Sequence, residues 1–170
     1  MKLSIREMAL FAMFGTLMYA SKLLMELLPN IHLIGVFTVA FTAVYRKKAL
    51  YPIYIFVFIT GLAGGFAPWW VAYLYIWTVL WGLTMLLPKK LPQKALPLAY
   101  MLLCSLHGFA FGLLYAPSQA LLFGMNFRAT LAWIAAGLPF DLIHGASNFF
   151  AGLLIYPLTV VLRKLEKATS

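Results

Sequence analysis

The residues best suited to chemistry stand in the last long hydrophobic stretch of the chain, residues 138–162. Asp141, His144 and Asn148 follow one another there at intervals of three and four residues. At 100° per residue, this spacing puts all three side chains on one face of an α-helix. The stretch is long enough to cross a bilayer, for which about 20 apolar residues suffice. An ionisable group at membrane depth is costly unless it lines a cavity or finds a partner.

This polar face has two interpretations. The three side chains line a pocket that opens to one side of the membrane, or they form hydrogen bonds that hold neighbouring helices together. We favour the pocket, because the three groups share one face near the same end of the helix.

A second candidate face lies on the helix predicted for residues 69–87. Trp70, Tyr73, Trp77 and Trp81 are spaced by three, four and four residues and therefore share one side of that helix. Such rings can stack on a planar ligand while Trp and Tyr still donate hydrogen bonds. The alternative is packing, together with an aromatic belt at the membrane surface. A belt does not account for Trp77, which is expected near the middle of the membrane.

Two further segments reach the same side of the membrane in this interpretation. The turn after the first hydrophobic stretch carries Asn30 and His32, and Arg128 precedes the last stretch, where it can close the pocket from above. Lys22 and Glu26 are four residues apart and can pair near the membrane surface. The predicted substrate site consists of Asp141, His144, Asn148, Trp70, Tyr73, Trp77, Asn30, His32 and Arg128.

The same residues give little support to catalysis or metal binding. His107, His144 and Asp141 invite a metal interpretation, but the chain has no HExxH motif and no cysteine pair. Ser105 and His107 are two residues apart and face different sides of a helix, which does not favour a nucleophilic triad. We therefore predict no enzyme activity, no metal and no cofactor. There is no phosphate-binding glycine motif; if the protein transports actively, the ATPase is a separate chain.

Composition sets the class of protein. Hydrophobic residues make up 64% of the 170 residues and charged residues only 10%, which predicts an integral membrane protein folded as one domain over residues 1–170. The net charge of +9 does not indicate nucleic-acid binding, because the basic residues sit in short turns between apolar stretches.

The elements that must position these residues are six predicted membrane-spanning helices in one bundle. The polar stretch 115–128 separates the fifth from a short apolar helix at 129–137, which is not needed for spanning. This short helix either lies across the outer mouth as a cap or forms part of the sixth helix. Pro139 suits the first turn of the sixth helix. The predicted spans are 8–28, 32–45, 49–62, 69–87, 95–114 and 138–162.

Six crossings put both termini on one side of the membrane, and the charges agree with this topology. Eleven of the 13 basic residues fall on that side, with Lys22 and Arg128 as the exceptions. An excess of Lys and Arg marks the cytoplasmic side. The eleven are Lys2, Arg6, Arg46, Lys47, Lys48, Lys89, Lys90, Lys94, Arg163, Lys164 and Lys167.

The first helix carries a stripe of small residues, Ala9, Ala12, Thr16 and Ala20. Small side chains at such spacing let another helix approach closely in lipid. The partner is either another helix of this chain or a separate subunit.

The whole chain resembles the substrate-binding S component of an energy-coupling factor (ECF) transporter in size, six crossings, cytoplasmic termini and basic cytoplasmic turns. The most specific part is GLPFDLIHGASNFFAGLLIYPL, which is similar to the family's last helix. In that helix an Asp-x-x-His-x-x-x-Asn pattern opens the outward half and Pro-Leu closes the inward half, here Pro157 and Leu158. The family docks through Ala-x-x-x-Ala on its first helix, where this chain has Ala12, Thr16 and Ala20, with Thr in the central position.

The resemblance implies a substrate-capture subunit of an ECF-type ABC importer in the bacterial plasma membrane. Such a subunit binds a water-soluble vitamin or related ring-containing micronutrient from outside. It then docks on a transmembrane coupling protein with two ATPase subunits.

Two alternatives from other classes stay open. One is a stand-alone tryptophan-rich ligand-binding membrane protein, favoured by the segment PWWVAYLYIWTVLWG. That family has five crossings, which would put the lysines of one terminus on the wrong side. The other is a small membrane enzyme with Asp141 and His144 as acid and base, which lacks a nucleophile or metal set.

Overall fold

Helices account for nearly all of the structure, a computed structural model that describes residues 3–28, 31–88 and 91–169. Within these ranges there is no strand, and the all-α prediction is confirmed. The α-helices of the described residues are α1 (Ile5–Leu24), α2 (Ile34–Tyr45), α3 (Leu50–Gly64), α4 (Pro68–Leu86), α5 (Leu96–Phe109), α6 (Phe111–Phe123), α7 (Phe127–Ala151) and α8 (Ile155–Thr169).

Local sequence signals explain several helix ends. Ser4 and Glu7 form a reciprocal capping box at the start of α1. Asn126 caps α7 by accepting a hydrogen bond from the third residue after it. Gly65 follows α3 with φ 83° and Gly124 follows α6 with φ 61°, conformations that glycine adopts without steric cost.

Basic side chains gather at one end of the bundle, which we call the basic end. Lys48 pairs there with Glu7, which links the turn after α2 to the start of α1. In the same turn, Arg46 donates a hydrogen bond of 3.1 Å to the carbonyl oxygen of Met85 near the end of α4. The described basic residues at this end are Arg6, Arg46, Lys47, Lys48, Lys94, Arg163, Lys164 and Lys167.

The opposite end holds the other turns between helices. The Tyr115 hydroxyl of α6 donates a 3.0 Å hydrogen bond to the carbonyl of Trp69 at the start of α4. Along the described residues, α5 leads directly into α6, and α7 is followed by α8. The number of membrane crossings stays a prediction.

The short helix α2 forms the centre of the bundle. All of its residues except Ala43 are buried, and it packs against α4, α5 and α8. The tightest crossing joins α5 to α7, where a β-carbon on Gly108 would lie only 2.9 Å from the Cα of Gly145. Glycine is therefore required at Gly108 for these two helices to approach so closely. The Ser105 hydroxyl reinforces the crossing with a 2.9 Å hydrogen bond to the Gly145 carbonyl.

Three helical segments of the described residues are long and apolar enough to cross a membrane, which supports the membrane-protein class: Pro68–Leu86, Leu96–Phe123 and Phe127–Lys167. The remaining helices, α1, α2 and α3, are shorter or more charged. The helix α2 has 12 residues and is roughly 18 Å long, short of a hydrocarbon core of about 30 Å.

The chain between residues 115 and 154 differs from the sequence prediction. The predicted fifth helix ended at residue 114, but α6 continues to Phe123 and α7 begins at Phe127. Of the two possibilities for residues 129–137, the structure has them as the first part of α7, which is capped by Asn126 and continues to Ala151. Pro139 therefore lies inside α7 rather than in a first turn. A short 3-10 segment, Gly152–Leu154, divides the predicted last helix.

Candidate functional site

All three histidines of the chain meet inside the bundle around one tryptophan. The ring centroid of His32 lies 4.6 Å from that of His144 and 5.8 Å from that of Trp77. His107 lies 5.8 Å from Trp77 on another side. The Phe111 ring lies 4.7 Å from His144 and 5.9 Å from Trp77. We call these five residues the histidine cluster.

Five different segments supply the histidine cluster. His32 precedes α2, Trp77 lies in α4 and His144 lies in α7. His107 lies near the end of α5, and Phe111 is the first residue of α6. Because Trp77 is eight residues before Met85, it lies about 12 Å from the basic end along α4. The segment that carries His32 lies before α2 and is not helical. Non-helical backbone inside a membrane is tolerated where it is buried in protein or lines a cavity, and Ile31 and His32 line a cavity.

Three members of the cluster are buried, His32 and Phe111 are half-buried, and several of its polar atoms lack partners. Trp77 is 1% exposed, His107 2% and His144 3%. Four of its nitrogens lie in the interior without a hydrogen bond: His32 Nδ1, Trp77 Nε1, His107 Nδ1 and His144 Nε2. A buried polar group without a partner costs about 1–3 kcal/mol. Several of them in one place indicate a site that is completed by something other than the chain itself.

Two contacts define which hydrogen-bonding roles the site can offer. His107 Nε2 lies 3.1 Å from the Ile76 carbonyl, so this nitrogen is the donor and Nδ1 is an acceptor. Asn148 Nδ2 donates a 3.3 Å hydrogen bond to the Cys104 carbonyl, while its Oδ1 stays buried without a partner. The site therefore presents one fixed donor, the Trp77 indole N–H, and two fixed acceptors, His107 Nδ1 and Asn148 Oδ1.

A cavity of about 210 Å³ leads to this cluster from the opposite end of the bundle. Lys22 and Glu26, whose charged groups are 2.6 Å apart, stand in its wall. His32, Tyr73 and Trp77 form its inner side, and the lining is completed by Met25, Leu28, Ile31 and Ile34. The i, i+4 pairing of Lys22 with Glu26 is confirmed.

Asp141 has a partner within the chain. Its carboxylate oxygens lie 3.0 and 3.1 Å from the backbone nitrogen of Gly112, which donates to them. Gly112 belongs to the first turn of α6, where backbone N–H groups have no intrahelical partner and the helix dipole favours a negative charge. Asp141 thus connects α7 to the start of α6 next to the cluster. For this residue, the contact corresponds to the second interpretation given above, a hydrogen bond that holds neighbouring helices together.

The predicted aromatic face divides between two roles. Tyr73 lies 5.7 Å from Trp77 between ring centroids and lines the cavity. The Trp70 indole instead donates a 2.8 Å hydrogen bond to the Val57 carbonyl and packs against Phe66. Trp70 therefore joins α4 to α3. It lies about one helical turn further from the histidine cluster than Tyr73.

Two predicted site residues stand apart from the cluster. Arg128 is exposed in the first turn of α7. It precedes Asp141 by 13 residues of one continuous helix, which puts it roughly 20 Å away along the axis. The structure therefore does not bring Arg128 over the cluster. Asn30 lies outside the described residues.

The small-residue stripe of α1 faces outward. Ala9, Ala12, Thr16 and Ala20 are all exposed, and the Thr16 hydroxyl donates a 2.9 Å hydrogen bond to the Ala12 carbonyl, which leaves its methyl group on the surface. A shallow groove of about 600 Å³ follows the stripe. The opposite side of α1 packs against α3. Among the described residues, no helix of this chain covers the stripe.

His107 and Phe111 were not part of the predicted site, although His107 was weighed as a metal ligand. The available signal was a single histidine in an otherwise apolar helix, which does not tell on which side the ring lies. Among the described residues, no group of three or more His, Cys, Asp or Glu side chains has an arrangement that could hold a metal ion.

Comparison with known proteins returns no match. No protein-family model, no curated protein and no solved structure matches the chain. The ECF resemblance therefore depends on the sequence features given above.

Proposed function

We propose that this protein is the substrate-capture subunit of an ECF-type ABC importer. The observation that carries the proposal is the histidine cluster, in which neighbouring aromatic rings carry buried polar atoms without partners. Sites for small molecules are mostly apolar and aromatic, with a few convergent polar groups that set orientation. The cluster has this composition, and a cavity leads to it from the end opposite the basic residues.

The ligand is a small, water-soluble, ring-containing micronutrient of the vitamin type. Trp77, Tyr73 and Phe111 offer flat faces, and the site combines a fixed donor with fixed acceptors. Because the Asp141 carboxylate is bound to Gly112, the polar groups inside the cluster are neutral side chains or histidines. A ring that carries both donors and acceptors suits them better than a strongly charged group.

The proposal includes six membrane crossings, with both termini on the cytoplasmic side of the bacterial plasma membrane. The gathering of basic residues at one end of the bundle and the three helical segments long enough to span a membrane support this proposal. The cavity beside Lys22 and Glu26 then opens to the outside. The exposed stripe on α1 is the docking surface for a transmembrane coupling protein that carries two ATPase subunits.

Cysteine labelling in intact cells tests the orientation. Cysteines that replace Lys47 or Lys94 at the basic end are expected to resist a membrane-impermeant thiol reagent. A cysteine that replaces Leu27, which is 90% exposed at the opposite end, is expected to react. The natural Cys104 is buried and provides the unlabelled background. Labelling of Lys47→Cys or Lys94→Cys from outside would rule out the six-crossing topology.

The function itself is tested on protein purified from its native membrane in mild detergent. We expect mass spectrometry to find a ring-containing small molecule that remains with the protein, together with a membrane subunit and ATPase subunits in the same preparation. A retained ligand without ATPases would favour the stand-alone tryptophan-rich binding protein. A retained compound that is chemically converted during incubation would favour the small membrane enzyme.

A further inference from the structure

A second cavity lies at the basic end, far from the histidine cluster. It has a volume of about 400 Å³ and lies between the ends of α2 and α4, the start of α5 and the last part of α8. Arg46 lines it from the turn after α2 and Arg163 from α8, together with the buried Tyr100. Its volume falls in the range of small-molecule pockets, roughly 300–1,000 Å³. Nothing in the proposed import function uses this cavity.

Neither arginine belongs to the Lys22–Glu26 or the Lys48–Glu7 salt bridge. Glu166 follows Arg163 by three residues on α8. Arg46 uses one N–H group on the Met85 carbonyl. A guanidinium group has five N–H donors, so Arg46 has further donors that a ligand in the cavity can engage, and the Arg163 side chain is exposed.

Two hydrogen bonds, one to its carbonyl and one from its side chain, hold Arg46 in position. Its φ of 53° is the one positive value among the non-glycine residues that the structure describes. The Trp81 indole donates a 3.1 Å hydrogen bond to the Arg46 carbonyl, while the Arg46 side chain binds α4. A left-handed backbone persists in a non-glycine residue only where its surroundings fix it, and such residues often belong to functional sites.

We propose that this cavity binds a phosphate group. Arginine matches the geometry of phosphate and carboxylate oxygens. Arg46 and Arg163 approach from different segments of the chain, which suits the tetrahedral oxygens of a phosphate better than one planar carboxylate. The remaining wall combines the polar Thr84 and Tyr100 with apolar side chains, among them Leu87, Leu91 and Leu96. Basic pockets between helices on the cytoplasmic side are suited to anionic lipid head groups, and a free phosphate compound carries the same group.

Two measurements on the purified full-length protein separate these sources. Native mass spectrometry compares retention of phosphatidylglycerol with that of phosphatidylcholine, whose phosphate is paired with its own cation. Thermal unfolding in detergent compares inorganic phosphate with chloride at equal ionic strength. Preference for phosphatidylglycerol without an effect of inorganic phosphate identifies a lipid. A higher unfolding midpoint in inorganic phosphate identifies a free phosphate compound as a ligand.

A matched pair of variants tests the site itself. Arg163→Gln is expected to weaken the phosphate-dependent effect by roughly tenfold, because a charged hydrogen-bond donor is lost. Lys164→Gln removes the same charge from the next residue of α8, which does not line the cavity, and is expected to leave the effect unchanged. Arg163→Lys keeps the charge and is expected to give an intermediate effect, since the planar fork of donors is lost.

The proposal is overturned if the wild-type protein shows neither a preference for phosphatidylglycerol nor stabilisation by inorganic phosphate. It is also overturned if Arg163→Gln and Lys164→Gln reduce the effect equally, since this would indicate general attraction to a basic surface. The wild-type comparisons need no variant and decide the question even where Arg163→Gln lowers the yield of folded protein.

Discussion

Replacing Trp77 with phenylalanine is expected to weaken binding of the retained ligand by roughly tenfold to a hundredfold. The substitution keeps an aromatic ring in the histidine cluster but removes the indole N–H, the fixed donor of the site. The ligand acceptor that binds this N–H would then be buried without a partner. Affinity is measured by isothermal titration with the compound identified in the purified protein.

The same substitution is expected to have little effect on the stability of the ligand-free protein. The Trp77 N–H has no partner within the chain, so its removal takes away the free-energy cost of a buried donor without a partner. This gain in stability offsets the packing that is lost with the smaller ring. Trp81→Phe is the matched control, because Trp81 lies one turn further along α4 and donates to the Arg46 carbonyl instead. Affinity of Trp77→Phe equal to that of wild type would remove Trp77 from the ligand site.

Replacing Ala12 with tryptophan is expected to abolish association with the coupling protein and its ATPases, and with it transport. Ala12 lies in the exposed stripe of α1 beside Thr16, where a bulky ring would hold a partner helix away. Ligand affinity is expected to stay at the wild-type value, because the stripe lies on the outer side of α1. The two readouts are co-purification of ATPase subunits and titration with the retained ligand.

Ala136→Trp supplies the control for adding a large ring to a lipid-facing surface. Ala136 is exposed on α7, away from α1, and its substitution is expected to leave co-purification unchanged. If Ala12→Trp still co-purifies with the ATPases in wild-type amounts, the stripe is not the docking surface. If both variants lose the ATPases, the loss reflects a general effect of the added ring.

The helical class and the order of the helices follow from the sequence, because hydrophobic stretches, turn residues and basic clusters are local features. The ends of α2 and α4 and the basic turns were predicted in this way. The region around Asn126 differs from the sequence prediction, which ended the fifth helix at residue 114. In the structure α6 continues to Phe123 and Asn126 caps the start of α7. Polar residues such as Asn are common both between helices and at helix caps, so they did not locate the helix ends.

Periodicity on single helices identified His144, Asn148 and Trp77 as candidates for a site, since a shared helix face is a property of spacing alone. It could not show that His32 and His107 come from separate segments to meet them. This depends on how α4, α5 and α7 cross around α2, and the crossing of α5 with α7 depends on the absence of a side chain at Gly108. The pairing of Asp141 with Gly112 likewise needs the break between α5 and α6, which no spacing rule predicts.

The sequence by itself determined the class of protein, the positions of the basic turns and the faces of individual helices, because each depends on residues close together in the chain. Only the tertiary structure decided which faces are buried together. It left the stripe of α1 uncovered, engaged Asp141 and Trp70 within the bundle, and gathered His32, His107 and His144 around Trp77. These outcomes depend on contacts between residues as far apart in the chain as His32 and His144, which are fixed by packing rather than by local sequence.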